Sequence, residues 1–252
     1  MKNALITGAS GGIGLSIAKQ LAGEGYSLTL VARREDELKK IVGALPGTGH
    51  DFLIADLSNP GDVTKIGDHL GAHHYSVLIN NAGTGIYGNF GEIGLEDHLK
   101  MMRLNCDALL VLSYAYLQHA VTSDALINIG SVLGSTSYAA AAAYAGTKGF
   151  VIRFSESLWD EYRKKGIYVC VFSPGVTSSN FHNNAGGDEA GFPKAIMQTS
   201  QQVAAELSLA LRRRSKPHVV SGAMNRGMLF FYRMLTRKAI VKMMGSFSPV
   251  KK

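Results

Sequence analysis

The chain has 252 residues, 46% of them hydrophobic, enough for one domain with a substantial core, and no break in composition marks a second domain. Its formal net charge of +7 is unevenly placed, since 11 of the 26 Lys and Arg and none of the 19 Asp and Glu fall between Leu207 and Lys252. Only two cysteines occur, Cys106 and Cys170, far apart, which excludes a disulfide framework and predicts reduced, structural thiols in a cytosolic, cytoplasmic chain.

Met1-Lys2-Asn3 runs directly into the apolar segment Ala4-Leu5-Ile6, which reads as a first strand and leaves no room for a cleavable signal. Thr7-Gly8-Ala9-Ser10-Gly11-Gly12-Ile13-Gly14 follows and opens an amphipathic stretch, Leu15 to Ala22. Strand, glycine turn and helix in that order is the context in which such a loop binds a dinucleotide. Gly8, Gly12 and Gly14 let backbone amides approach a pyrophosphate, and the helix amino terminus adds partial positive charge. Taken alone, the turn reads equally as a tight strand-to-helix connection.

A second strand, Ser27 to Val31, ends at Ala32-Arg33-Arg34. A carboxylate here would accept hydrogen bonds from a ribose 2'-hydroxyl; none is present, and Arg33 suits a charge-assisted contact to a 2'-phosphate instead. NADP(H) is favoured over NAD(H). Glu35, Asp36 and Glu37 come next, so a neutralised, solvated helix entry is the alternative for both arginines.

Val77-Leu78-Ile79 reads as a central strand, and Ala125 to Gly130 as another that closes on Ser131. At the carboxyl end of a parallel strand the Ser131 hydroxyl could hold a carbonyl oxygen; a strand-end cap is the alternative. Tyr144 and Lys148, four apart, share one helical face. A nearby ammonium favours the phenolate and lowers a tyrosine pKa, which makes Tyr144 a usable general acid or base. The alanine run 139 to 143 suits a tightly packed helix entry beside it. Alternating strand and helix patterns predict an α/β fold, a doubly wound parallel sheet in three α/β/α layers forming a single domain.

In order, the Thr-Gly-x-x-x-Gly-x-Gly loop, Asp56-Leu57, Asn80-Asn81-Ala82-Gly83, Asn105, Ser131, Tyr144 with Lys148, and Pro174-Gly175 form a set of motifs far more specific than any one of them. The sequence resembles the short-chain dehydrogenase/reductases, in their shorter form, from residue 3 to roughly residue 222. The resemblance implies a Rossmann fold and a carbonyl or secondary alcohol substrate. It implies Tyr144 as acid and base, Lys148 on the nicotinamide ribose, Ser131 orienting the substrate oxygen, and Asn105 holding a relay water. For the cofactor it implies Gly8, Ser10, Gly12, Ile13 and Gly14 at the pyrophosphate and Asp56 with the Leu57 backbone at adenine. Asn80, Ala82 and Gly83 would border the adenine ribose, and Pro174, Gly175 and Thr177 the nicotinamide, with Ser178 and Ser179 as alternatives to Thr177. The family's second basic position is Gly11 here, so one common phosphate contact is missing. Asp56 has helix capping as its alternative role, and Asn105 that of a polar residue bending its helix. No metal is expected.

Residues 1–222 are assigned to the dinucleotide-binding and catalytic domain and 223–252 to a basic extension of it. Within that extension Met228 to Met244 reads as one amphipathic helix, with Arg233, Arg237, Lys238 and Lys242 on one half and Leu229, Tyr232, Leu235, Ala239, Ile240 and Met243 on the other. Four charges argue against a transmembrane span. An anionic membrane surface, a subunit contact, a lid over the substrate cleft and an acidic partner such as an acyl carrier remain open. Nucleic acid is not expected, because no recognised binding motif is present. Ser179 to Thr199 is the expected substrate loop, and its Phe181, His182, Phe192, Ile196 and Met197 beside Gly186 and Gly187 permit an apolar carbonyl compound without selecting one.

The sequence therefore predicts an NADP(H)-dependent carbonyl reductase, a homo-oligomer as its relatives often are. A beta-ketoacyl thioester reductase of lipid synthesis and a non-catalytic NADP(H)-sensing protein are the alternatives.

Overall fold

The computed structural model describes residues 2–179, 181, 185–186 and 196–246. Seven parallel strands form one sheet: β1 (Asn3–Thr7), β2 (Ser27–Ala32), β3 (Asp51–Ile54), β4 (Val77–Asn80), β5 (Ala125–Ile129), β6 (Tyr168–Ser173) and β9 (His218–Val220), in the order β3-β2-β1-β4-β5-β6-β9. A second, two-stranded parallel sheet pairs β7 (Thr177–Ser178) with β8 (Gln198–Thr199). Strand order reverses between β1 and β4, and the carboxyl ends of those strands open the crevice where ligands bind in such sheets.

Alternation along each strand divides the core in two. Ala4, Ile6, Val77, Ile79, Ile127, Cys170 and Phe172 face α1 (Gly12–Gly23), α2 (Glu35–Ala44) and α7 (Ser200–Arg213). Leu5, Leu78, Leu126 and Val169 face α3 (Pro60–Ala72), α5 (Leu109–His119) and α6 (Ala142–Arg163). Each such buried leucine, isoleucine or valine contributes about 1.5–3 kcal/mol relative to exposure. Both faces are covered, giving the three-layer, single-domain architecture expected.

The predicted strands are found where the apolar runs place them, and β9, only three residues long, is an element that hydropathy does not mark. Between α4 (Leu95–Met102) and α5 the helix widens into a π turn, Arg103–Ala108, which holds Asn105. The expected single helix from 228 to 244 is instead two, α8 (Ala223–Tyr232) and α9 (Arg237–Ser246). Thr236 causes the break: its hydroxyl accepts a hydrogen bond from the Ala239 amide at 3.3 Å and starts a new helix. Tyr232 and Leu235 then pack with buried Ile240 and Met244 on the cluster around Tyr87, Tyr138 and Tyr144. The extension thus covers the cleft.

Candidate functional site

A single cleft of about 1790 Å³ runs along the carboxyl ends of the strands, from the glycine turn after β1 to the inner face of α8 and α9. At its amino-terminal end the walls are backbone. Gly8 sits at φ +66° and a β-carbon there would lie 2.8 Å from the Ala82 α-carbon, while one at Gly14 would run into the Gly8 carbonyl oxygen. The Asn81 side-chain amide donates to the carbonyls of Thr7 (2.9 Å) and Gly8 (3.2 Å), and the Thr7 hydroxyl accepts from the amides of Asn81 (3.0 Å) and Ala82 (2.9 Å). These bonds pin the ends of β1 and β4 together. Gly11 caps α1 in extended conformation with no side-chain bond, which leaves the first-turn amides to the cleft.

Beyond the turn, Ser10, Ile13, Ala82 and Gly83 line the cleft, as do Arg33, Asp56 and Leu57. Arg33 lies 4.0 Å from the Asp56 carboxylate. Burial alone would raise the Asp56 pKa, but hydrogen bonds from the Ser58 hydroxyl and amide, with Arg33 nearby, hold it below its usual range. Asp56 does not cap α3; the Asn59 side chain does, accepting from the Gly61 amide at 2.9 Å. Arg34, which the sequence left as a helix-entry charge, reaches back to the Ser10 carbonyl (3.4 Å) and hydroxyl (3.5 Å). A second cation thus stands over the glycine turn although Gly11 is not basic. Two adjacent arginines were the available signal.

Asn80 departs from its expected place. Its side chain is buried and donates to Ser113 (3.1 Å) and Asn128 (3.0 Å) between strands and helices, away from the cleft. The last residue of β4 alternates inward, and Asn81 takes the position facing the turn.

At the centre, Ser131, Tyr144 and Lys148 line one wall. The turn 132–135 packs against α6, and Gly134 admits this because a β-carbon there would meet the Lys148 backbone. Lys148 donates from Nζ to the Ile129 carbonyl at 2.9 Å. A β-carbon on Gly83 would lie 3.2 Å from Asn105 Oδ1 and 3.4 Å from Lys148 Nζ, so the three residues converge. Asn105 is buried, accepts from the Thr84 amide (2.9 Å), and donates to the Thr84 carbonyl (2.8 Å) and the Thr147 hydroxyl (3.1 Å). Burial pushes the Tyr144 phenol up to about 12, opposed by its hydrogen bond with Ser131, and lowers Lys148 to about 8. The expected lowering of the Tyr144 pKa is therefore not the balance here, because desolvation outweighs the stabilisation of the phenolate.

The far end is apolar. Tyr87 meets the Tyr144 ring edge-on with centroids 6.4 Å apart, Phe181 lies 5.7 Å from it, and Met224, Met228, Tyr232 and Met244 line the wall beyond. Pro174, Gly175, Thr177, Ser178 and Ser179 border the same region; the Thr177 hydroxyl donates to the Gly175 carbonyl at 3.1 Å. Asn225 of α8 packs on Gly175 so closely that no side chain fits there, and it donates to the Ser221 carbonyl at 2.7 Å. It is a cleft residue that sequence reasoning missed. Of the substrate loop, Phe181, Gly186, Ile196 and Met197 are described, whereas His182, Gly187 and Phe192 lie outside the described residues.

A second cluster has the connectivity of a hydrolytic triad: His218 bonds Ser173 Oγ at 2.9 Å through Nε2 and lies 3.3 Å from Glu156 through Nδ1. Ser173 is wholly buried, so the cluster ties α6, β6 and β9 together rather than meeting a substrate.

Comparison with known proteins gives the family. The profile of the short chain dehydrogenase family matches residues 2–190. The chain is 34% identical over 194 residues to a 3-oxoacyl-acyl-carrier-protein reductase of Buchnera aphidicola, covering 71% of this chain and 75% of the relative. It is 27% identical over 257 residues to a 7beta-hydroxysteroid dehydrogenase of Mediterraneibacter gnavus, covering 96% and 95%. A solved short-chain dehydrogenase from Sphingobium yanoikuyae in complex with NADPH superposes with a TM-score of 0.81 at 29% identity, over 93% of this chain and 94% of that one. The profile match spans most of the chain and the fold agrees over most of its length, so the protein belongs to the short-chain dehydrogenase family of oxidoreductases.

Proposed function

We propose that this chain is an NADP(H)-dependent reductase of bulky apolar carbonyl compounds, with Tyr144 as general acid and, in the reverse direction, general base. The observation that carries the reading is one continuous cleft with a glycine cradle at one end, Ser131, Tyr144 and Lys148 at its centre, and an apolar wall at the other end.

The amino-terminal end fits a dinucleotide. The side-chain-free cradle of Gly8, Gly12 and Gly14 and the uncapped amides of α1 suit a pyrophosphate. Ser10, Ile13, Leu57, Ala82 and Gly83 wall the same stretch, Asp56 suits an adenine amino group, and Pro174, Gly175 and Thr177 suit the nicotinamide end. Arg33 and Arg34 offer two guanidinium groups to a 2'-phosphate, which is why we assign NADP(H) over NAD(H). When bound, the nicotinamide supplies or accepts the hydride.

The residues of the chain manage the proton. Ser131 and Tyr144 share a hydrogen bond, so an oxygen held by both receives its proton from the Tyr144 hydroxyl. A phenol kept protonated by burial is suited to reduction. The Lys148 ammonium offsets the charge left on the phenolate oxygen. Asn105 spends its side chain on Thr84 and Thr147, so its service to a relay water falls to the backbone of the π turn.

An exposed apolar stripe along α4 and α5, comprising Leu95, Leu99, Met102, Leu110, Val111 and Tyr114, supports a homo-oligomer through that face. Two buried, free thiols suit the cytoplasm. The likeness to an acyl-carrier-protein reductase and the apolar wall favour ketoacyl thioesters as the second substrate class.

The test is NADPH against NADH oxidation over a panel of small ketones, bulky apolar ketones and ketoacyl thioesters, with Tyr144→Phe as control. NADPH should be preferred, and the variant should lose about 10²–10⁴-fold in turnover while binding NADPH as the wild type does. Wild-type turnover in the variant would remove Tyr144 from the reaction. Tight NADPH binding with no carbonyl consumed would favour the sensing protein.

A further inference from the structure

The outer face of the carboxyl-terminal hairpin is not used by the cleft. Along the last turn of α8, Tyr232 points inward, where its hydroxyl meets Met244 Sδ at 3.0 Å. Phe230 and, just beyond the helix, Met234 lie opposite Tyr232 at helical spacing, with Phe231 on the flank between, and Phe230, Phe231 and Met234 are 66%, 52% and 75% exposed. Three large apolar side chains at one exposed turn exceed the scattered singles of an ordinary surface. The same hairpin carries Arg233, Arg237, Lys238 and Lys242, all exposed, and none belongs to an ion pair found among the described residues. Arg226, at the start of α8, is the hairpin cation that is paired, with Glu206 at 3.3 Å. On α9, Ile240 and Met244 are buried inward, so Lys238 and Lys242 project outward with half-exposed Val241.

We propose that the α8–α9 hairpin docks on an anionic lipid bilayer, inserting Phe230, Phe231 and Met234 at the headgroup level with the four cations against the lipid phosphates. Charge complementarity selects this occupant: exposed aromatic and thioether groups on a hairpin that also carries four exposed cations match an acidic interface with an apolar interior. An acidic protein would satisfy the cations and leave the apolar tip in water. A second copy of the chain would set four cations against four. No helix among the described residues is long and apolar enough to cross a membrane, so the contact is peripheral. Docking there sets the apolar end of the cleft, walled by Met224, Met228 and Tyr232, beside the membrane.

The experiment is co-sedimentation of the full chain with vesicles of phosphatidylcholine alone and with one third phosphatidylglycerol, at low and at physiological salt. Binding should require the anionic lipid and weaken as salt rises. Phe230→Ser with Phe231→Ser should weaken it at least about tenfold, and Arg237→Ala with Lys238→Ala by about fivefold per cation. Both variants should reduce a water-soluble ketone at the wild-type rate, which shows that the fold and cleft are intact. Vesicle binding is read without turnover, so it stands or falls separately from the proposed reaction. Failure of the wild type to sediment with anionic vesicles at low salt would overturn the proposal. So would equal sedimentation with phosphatidylcholine, unchanged binding in the variants, or a hairpin that instead binds an acidic acyl carrier protein or holds a dimer together.

Discussion

At the amino-terminal end of the cleft the walls are peptide groups held at fixed spacing, with Gly8 and Gly14 packed against Ala82 and Asn81 and the Thr7 hydroxyl binding two amides at once. At the carboxyl-terminal end the walls are thioethers and rings, Met224, Met228, Tyr232 and Met244, on helices of which α8 packs through Asn225 on Gly175 in the loop after β6. One end presents hydrogen-bonding geometry that a single residue type can supply. The other presents apolar area, which many side chains supply equally well, and methionine adapts to the shape of what it covers. Under the proposed function, strict demands at the first end serve the cofactor and permissive ones at the second serve the substrate.

The sharpest way to break this contrast is Gly14→Ala. The new methyl group would collide with the Gly8 carbonyl and the Asn81 amide, neither of which can move without releasing the end of β1. NADPH binding should fall by about 100-fold or more, and overpacking should cost about 1–3 kcal/mol of stability, read by titration and thermal melting. Gly11→Ala is the matched control. Its φ of −178° is extended backbone and nothing lies within 4 Å of the added carbon, so both measurements should stay near wild type.

Next in size is the pair of arginines. Removing Arg33 and Arg34 together should raise the KM for NADPH by about 10–100-fold, the range for hydrogen bonds to charged groups, and leave that for NADH nearly unchanged. Arg34→Ala alone should account for part of the effect, because its guanidinium rests on Ser10. Equal losses with both cofactors would mean that the arginines only shape the turn.

These two sites also show what the sequence could and could not disclose. Gly8, Gly14, Ser131, Tyr144 and Lys148 were legible because their types and order reflect local demands, a turn without β-carbons and two side chains on one helical face. The inward turn of Asn80 was not legible, since Asn80 and Asn81 are the same residue and only the strand's alternation decides which one faces the cleft. Arg34 was obscured by the three acidic residues after it, although its ion pair with Glu37, at 3.5 Å, leaves it free to reach Ser10 as well. The split of the tail into α8 and α9 depends on one threonine hydroxyl within an otherwise continuous amphipathic pattern.

A pH profile probes the boundary between the two ends. With the Tyr144 phenol near 12 and the Lys148 ammonium near 8, reduction should be level through neutrality and fall above about pH 8 as Lys148 loses its proton. The sign follows from the roles: the acid stays protonated throughout, and only the cation is lost. One logarithmic limb gives about a tenfold drop in kcat/KM one pH unit above that pKa. A level profile to pH 10 would show that the lysine charge does not govern the rate.

The smallest effect should come from the permissive wall. Met228→Ala removes part of an apolar lining that is shared with Met224, Tyr232 and Met244, so no single side chain carries the recognition. Met228 is half-buried, and losing its contact area should raise the KM of a bulky apolar ketone by about 3–10-fold, with kcat little changed because the proposed seat of the reacting oxygen, Ser131 and Tyr144, lies elsewhere in the cleft. A small ketone that never reaches this wall should show no change. That split between substrates separates a lining residue from a structural one: a variant that merely loosened α8 would disturb Asn225 and Gly175, and both substrates would then lose turnover together.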